Sequence, residues 1–290
     1  MPPAALNNLV LFVCDGSFSC LLANVIIKHM KDILHFSHAN GFPAGSYKTL
    51  LSYLEDDFQV GAIERFSHHH RYPVSNNWNH LVTQLIDELE ACYNQPVYAV
   101  GHSLGGVLSL IVAAQRPDLV KGLIMLDAPF ITNIEALGIN LIKRLGLMDK
   151  ITPAGRTLGR QEHWPSTEHA REYFRNKRLF RSFDERCLHD YVYHGTVELE
   201  GGKRQLYFDA ATEIEIYRTI PDNLHRTPRL PMPSTVIAGK NSDVFKKQHG
   251  SKMQRQLGMN VEWVDGSHMF PLEQPELTAA SIKRHISQWK

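Results

Sequence analysis

The sequence predicts an α/β fold: a mostly parallel central sheet flanked by helices, with a mainly helical cap inserted between core strands. Three observations carry this. Apolar runs of strand length alternate with helical patterns from residue 33 to 126 and again from 234 to 289. Such alternation implies crossover connections and a parallel sheet covered on both faces. One run, Pro96 to Val100, leads directly into Gly101-His102-Ser103-Leu104-Gly105, followed by the small-residue helix 106–114. That order is a sharp strand-to-helix turn with a serine at its tip. Finally, the alternation stops between 130 and 228, where charged and aromatic residues dominate.

In chain order, Ile33 to His38 reads as a buried strand closed by the turn Asn40-Gly41-Phe42-Pro43. Gln59 to Ile63 is a second strand. Residues 78, 81, 82, 85, 86 and 89 are apolar, the spacing of an amphipathic helix over 78–93. Strand 96–100, helix 106–114 and strand 121–126 follow. A hairpin is expected at 196–208, with Gly201-Gly202 at its turn. The core resumes with strand 234–238 and ends with strand 260–264 and helix 276–289. The core is therefore 31–129 plus 229–290, and 130–228 is the cap insertion. Residues 1–30 stand apart. They lack the positive n-region of a secretory signal, and Asp15, Asn24 and Lys28 interrupt any membrane span. They read as a strand and helix, or as sequence upstream of a start at Met30.

Composition excludes several function classes. The 290 residues are 43% hydrophobic and 21% charged, with a formal net charge of +1. No excess of positive charge points to nucleic acid or to a membrane partner. Cys14, Cys20, Cys92 and Cys187 lack metal-ligand spacing and read as free thiols of a cytoplasmic protein.

The chemistry centres on Ser103. A serine hydroxyl is a poor nucleophile and needs a base, which in turn needs an orienting carboxylate. His268, in the loop after the last strand, is the expected base. The expected acid is Asp243, after strand 234–238; Asp127, after strand 121–126, is the alternative. A tetrahedral intermediate needs two N–H donors. Leu104 supplies one, and Phe42, in the loop after the first strong strand, is expected to supply the other.

Other features read more plainly. Three adjacent histidines, His68 to His70, fan apart on a loop and define no metal site. The basic, aromatic stretch 169–183 suits either an anion site or, preferably, a solvated helix face. The aromatics Trp164, Tyr173, Phe174, Phe180, Phe183, Tyr191 and Tyr193 serve as pocket lining, as the insertion's own core, or as both.

Four segments together carry a resemblance: 40–43, Gly101-His102-Ser103-Leu104-Gly105-Gly106, 239–243 and 266–275. On these the chain resembles the α/β-hydrolase superfamily, specifically its capped, carboxylesterase-like bacterial serine hydrolases. The likeness runs from about 33 to 289. It implies a cofactor-free enzyme that opens a carboxylic ester or thioester of a small-molecule acyl substrate through an acyl-enzyme. C–C bond hydrolysis and cofactor-free haloperoxidase or perhydrolase chemistry use the same residues, and a non-catalytic ligand-binding fold is a reading of another class. Two departures stand out. Phe66-Ser67-His68-His69-His70-Arg71-Tyr72-Pro73 replaces the superfamily's usual Gly-x-Gly-x-Ser. Residues 1–30 also do not read as the usual opening hairpin.

Overall fold

A computed structural model describes residues 31–290; the expectations for residues 1–30, with Cys14 and Cys20, lie outside the described residues. The first strand, β1 (Asp32–Ser37), alternates its apolar residues between two cores. Ile33 joins one cluster, Leu34 and Phe36 the other. This period of two is what a strand buried on both faces requires. Then come α1 (Lys48–Glu55), β2 (Phe58–Ala62), α2 (Asn79–Cys92), β3 (Val97–His102), α3 (Leu104–Gln115) and β4 (Val120–Leu126). The apolar spacing in the sequence predicts the buried stripe of α2: Leu81, Val82, Leu85 and Leu89 are all buried, as is Trp78 just before it. By contrast, α3 is buried almost all round, as the central helix behind a site must be.

The insertion contains α4 (Asn133–Arg144), α5 (Met148–Ile151), α6 (Ala154–Thr157), β5 (His163–Trp164), α7 (Thr167–Arg175) and α8 (Glu185–His194). It continues with β6 (Thr196–Glu198), β7 (Arg204–Leu206) and α9 (Ala210–Arg218). The hairpin expected at 196–208 is the antiparallel pair β6–β7, with β5 added at its edge. The core resumes with β8 (Ser234–Gly239), α10 (Lys247–Leu257), β9 (Asn260–Val264), α11 (Phe270–Glu273) and α12 (Pro275–Gln288).

The six long strands form one sheet in the order β2-β1-β3-β4-β8-β9, and each pairing is parallel. One face packs α2, α3 and α10; the other packs α1 and α12. Because β4 and β8 are parallel neighbours, the insertion leaves at the carboxyl edge of β4 and re-enters at the opposite edge, at Ser234. Asp32–Lys290 forms one compact unit, so the insertion shares the body of the core.

Candidate active site

The site lies at the carboxyl ends of β1, β3, β4 and β9, where ligands bind in open parallel sheets. Ser103 sits between β3 and α3 at φ 52°, ψ −114°, outside the ordinary regions for a residue with a side chain. The flanking glycines are obligatory. A Cβ on Gly101 would come within 2.3 Å of the Gly105 carbonyl oxygen, and one on Gly105 within 2.0 Å of the Ser37 oxygen. The Ser103 N–H is tied to Leu126 O at 3.0 Å, which locks the turn onto β4.

His268 lies within reach of the serine: Ser103 Oγ stands 3.1 Å from His268 Nε2. On the other side of the ring, His268 Nδ1 is 2.7 Å from Asp127 Oδ2. A carboxylate accepts, so Nδ1 carries the proton and Nε2 is free to accept from the serine hydroxyl.

The expected acid, Asp243, is therefore corrected. Its side chain is exposed beyond β8, and the carboxylate against His268 belongs to Asp127. Two local features decide this. Asp127 takes φ 42° straight after β4, and its side chain is fully buried. The loop after β8 also folds as a donor to Asp127. The Gly239 N–H reaches Oδ1 at 2.8 Å, and the Ser242 hydroxyl reaches Oδ2 at 2.5 Å. Ser242 Oγ accepts from the N–H groups of Val244 and Phe245, a tight turn with Asp243 on its exposed side. The motif 239–243 thus meets the site through Gly239 and Ser242.

The expected donors differ from each other. Leu104 is the first residue of α3, where an N–H has no partner within the helix. The Phe42 N–H, by contrast, closes a turn onto the Ala39 oxygen at 3.0 Å, so in this conformation it already has a partner. Gly41 makes that turn at φ 79°. A Cβ there would lie 2.8 Å from Glu213 Oε2 of α9, so the insertion closes directly on this loop.

Sequence reasoning missed a second layer. Tyr47 Oη is 2.7 Å from His102 Nδ1, and His102 Nε2 is 2.9 Å from the His268 carbonyl oxygen. The carbonyl can only accept, so His102 carries its proton on Nε2 and accepts from the tyrosine. Burial holds the fully enclosed His102 imidazole well below its usual range, which keeps it neutral. The Ala39 N–H donates to the same Tyr47 oxygen at 3.3 Å. One phenol therefore joins the Phe42 loop, the serine turn and the His268 loop. The signal was the histidine inside Gly101-His102-Ser103; nothing near Tyr47 marked its partner.

The remaining features fall into place. Phe42 packs on Phe180, Phe183 and Tyr191, with its ring 4.9 Å from that of Tyr191. Trp164 and Phe174 belong to the same buried cluster, whereas Tyr193 is exposed. Most of these aromatics are thus core, and Phe42 joins them to the site. Arg171 and Arg175 pair with the exposed Glu185, a solvated helix face. His68 Nε2 accepts the Asp209 N–H at 3.0 Å, so the departure at 66–73 ties the core to the insertion. Among the described residues no group of three or more His, Cys, Asp and Glu could hold a metal ion. No described helix is long and apolar enough to cross a membrane.

A parallel sheet of this order, with a serine at the strand-to-helix turn and a histidine after the last strand, defines an α/β enzyme-type fold. Residues 41–275 match the family of the alpha/beta hydrolase fold, and the chain belongs to that family. It is 29% identical over 138 residues to the monoglyceride lipase of Mus musculus, a match covering 45% of each chain. The matched stretch thus spans less than half of that curated relative's length. Among solved structures it is similar to E-2-(acetamidomethylene)succinate hydrolase, with a TM-score of 0.71 and 20% identity. That likeness covers 89% of this chain and 92% of the other. An esterase of M. tuberculosis superposes with a TM-score of 0.67 at 21% identity, covering 89% of this chain and 86% of that one.

Proposed function

We propose that the protein is a serine hydrolase acting on carboxylic esters or thioesters of small molecules. The observation that carries this reading is the hydrogen-bonded chain Ser103–His268–Asp127, with the serine held on a strained turn. Ser103 Oγ attacks the acyl carbon while His268 Nε2 takes its proton. Asp127 holds the imidazole in the required tautomer and stabilises the imidazolium. The Leu104 N–H, at the amino end of α3, meets the developing oxyanion. For the Phe42 N–H to join it, that N–H must leave the Ala39 oxygen. Collapse expels the alcohol or thiol, which takes the proton from His268. Water then repeats the sequence, releasing the acid and restoring Ser103.

The ester class is supported by the names of two similar proteins, a monoglyceride lipase and an esterase. The net charge of +1 favours a small-molecule substrate over nucleic acid. The insertion packed on Phe42 acts as a cap that limits water at Ser103. A panel of p-nitrophenyl esters of increasing acyl length tests the reading. Wild type is expected to hydrolyse at least the short members, and Ser103→Ala to lose up to about 10⁶ in kcat. A purified, folded Ser103→Ala variant that kept a tenth of wild-type activity would overturn it.

A further inference from the structure

Helix α4 presents an apolar stripe to solvent. It buries only Ala136 fully, and its polar residues hold it to the body. Glu135 bonds Thr132 and His249, while Asn140 and Lys143 both bond Asp222. Ile139 packs against the core, but on another side of the helix large apolar side chains face outward: Ile134 is 83% exposed, Leu137 75%, Leu141 59% and, at the helix end, Leu145 60%. At 3.6 residues per turn these four share an arc of about 80°. Ile151 and Leu158, just beyond, are exposed as well. Isolated exposed leucines are ordinary, but a continuous stripe marks an interaction surface.

The charges around the stripe point to its occupant. Arg144, Lys150 and Arg156 are exposed. The acids within 133–160, Glu135 and Asp149, are each held by a partner, Asp149 by Arg218. An apolar helix face with a basic rim and no unpaired acid fits the headgroup layer of an anionic bilayer. A two-fold contact between two copies would instead set these cations near their own mates. The stripe also starts a few residues past Asp127, on the chain that leaves the sheet at the site's edge.

We propose that the α4 stripe, with its basic rim, docks this protein on an anionic lipid surface, against the expectation of no membrane partner. The docking does not rest on the ester reading, because it is measured without turnover. The test is co-sedimentation of the full chain with phosphatidylcholine vesicles, with and without phosphatidylglycerol. The anionic vesicles should take up at least about tenfold more protein. The double variant Leu137→Glu, Leu141→Glu should lose that uptake by about tenfold or more while its circular dichroism is unchanged. If wild type hydrolyses p-nitrophenyl acetate, the double variant should do so within about twofold, because neither residue belongs to the site. Absence of uptake, equal uptake by both vesicles, or uptake unaffected by the double variant would overturn the proposal. So would a wild-type dimer in sedimentation analysis that the double variant splits, since a second copy would then cover the stripe.

Discussion

Asp127 holds three donors at once: the Gly239 N–H, the Ser242 hydroxyl and the His268 ring. A fully buried carboxylate needs such partners. Asp243, four residues past the end of a strand, has an exposed side chain. Both aspartates follow core strands at the correct edge, so strand order alone could not separate them. What separates them is the positive φ at Asp127 and the turn centred on Ser242, and neither has a pattern in the sequence. Ser103 and His268 were legible because each stands in a motif whose glycines and turn residues announce the backbone shape. Tyr47 was not legible, since its histidine partner lies on β3, 55 residues along the chain. Its hydroxyl donates to His102, which fixes the carbonyl of His268, so Tyr47 is a positioning residue. Tyr47→Phe should lower kcat about tenfold with KM nearly unchanged, because a displaced base loses more in the transition state than in binding. Active-site titration should show the same fraction of competent enzyme as wild type. An unchanged kcat, or a loss wholly explained by fewer active molecules, would contradict the positioning role.

At the scale of elements, β1 combines legible and illegible features. Its apolar alternation made it easy to find, but the same strand carries His35, and His38 follows at its end, both fully enclosed. Burial depresses each from an ordinary value of 6.5 to about 4. The unfolded chain therefore takes up these protons as pH falls below about 6.5, and the folded chain only near 4. Stability is full above the first value and is lost progressively towards the second, by on the order of 3 kcal/mol for each histidine. Urea unfolding at pH 7 and pH 5 should show this loss. His35→Leu should shrink the difference between the two pH values by about 2 kcal/mol. An equal pH dependence in the two proteins would assign the acid sensitivity elsewhere. Helices α1 and α10 were harder to see. Both are short amphipathic segments in which only Leu50 and Leu54 in one, and Met253 and Leu257 in the other, are buried hydrophobic side chains. Each shows only one buried hydrophobic i, i+4 pair, too short a pattern to read alone, and tertiary packing supplies the rest of the helix's stability.

For the whole molecule, the parallel sheet sets the design. Its carboxyl edge gathers the loops of four strands, so residues 103, 127 and 268 meet although they are far apart in sequence. The insertion grows from that same edge. It packs Phe42 among its own aromatics and leaves α4 with its leucines outward. The alternation of strands and helices made this plan readable, because period and punctuation are local. The outward apolar stripe of α4 was not readable, since apolar spacing in a sequence shows amphipathicity without showing which side meets the body.

The central claim is an activated Ser103 whose base is oriented by Asp127. The rate at which a fluorophosphonate labels the protein tests both parts, since only an activated serine reacts. Wild type and Asp243→Asn should label at rates within about twofold, because Asp243 lies outside the hydrogen-bonded chain. Asp127→Asn should label far more slowly, approaching the loss of about 10⁴ seen when an orienting acid is removed. Rapid labelling of Asp127→Asn together with slow labelling of Asp243→Asn would contradict the account and return the acid to position 243.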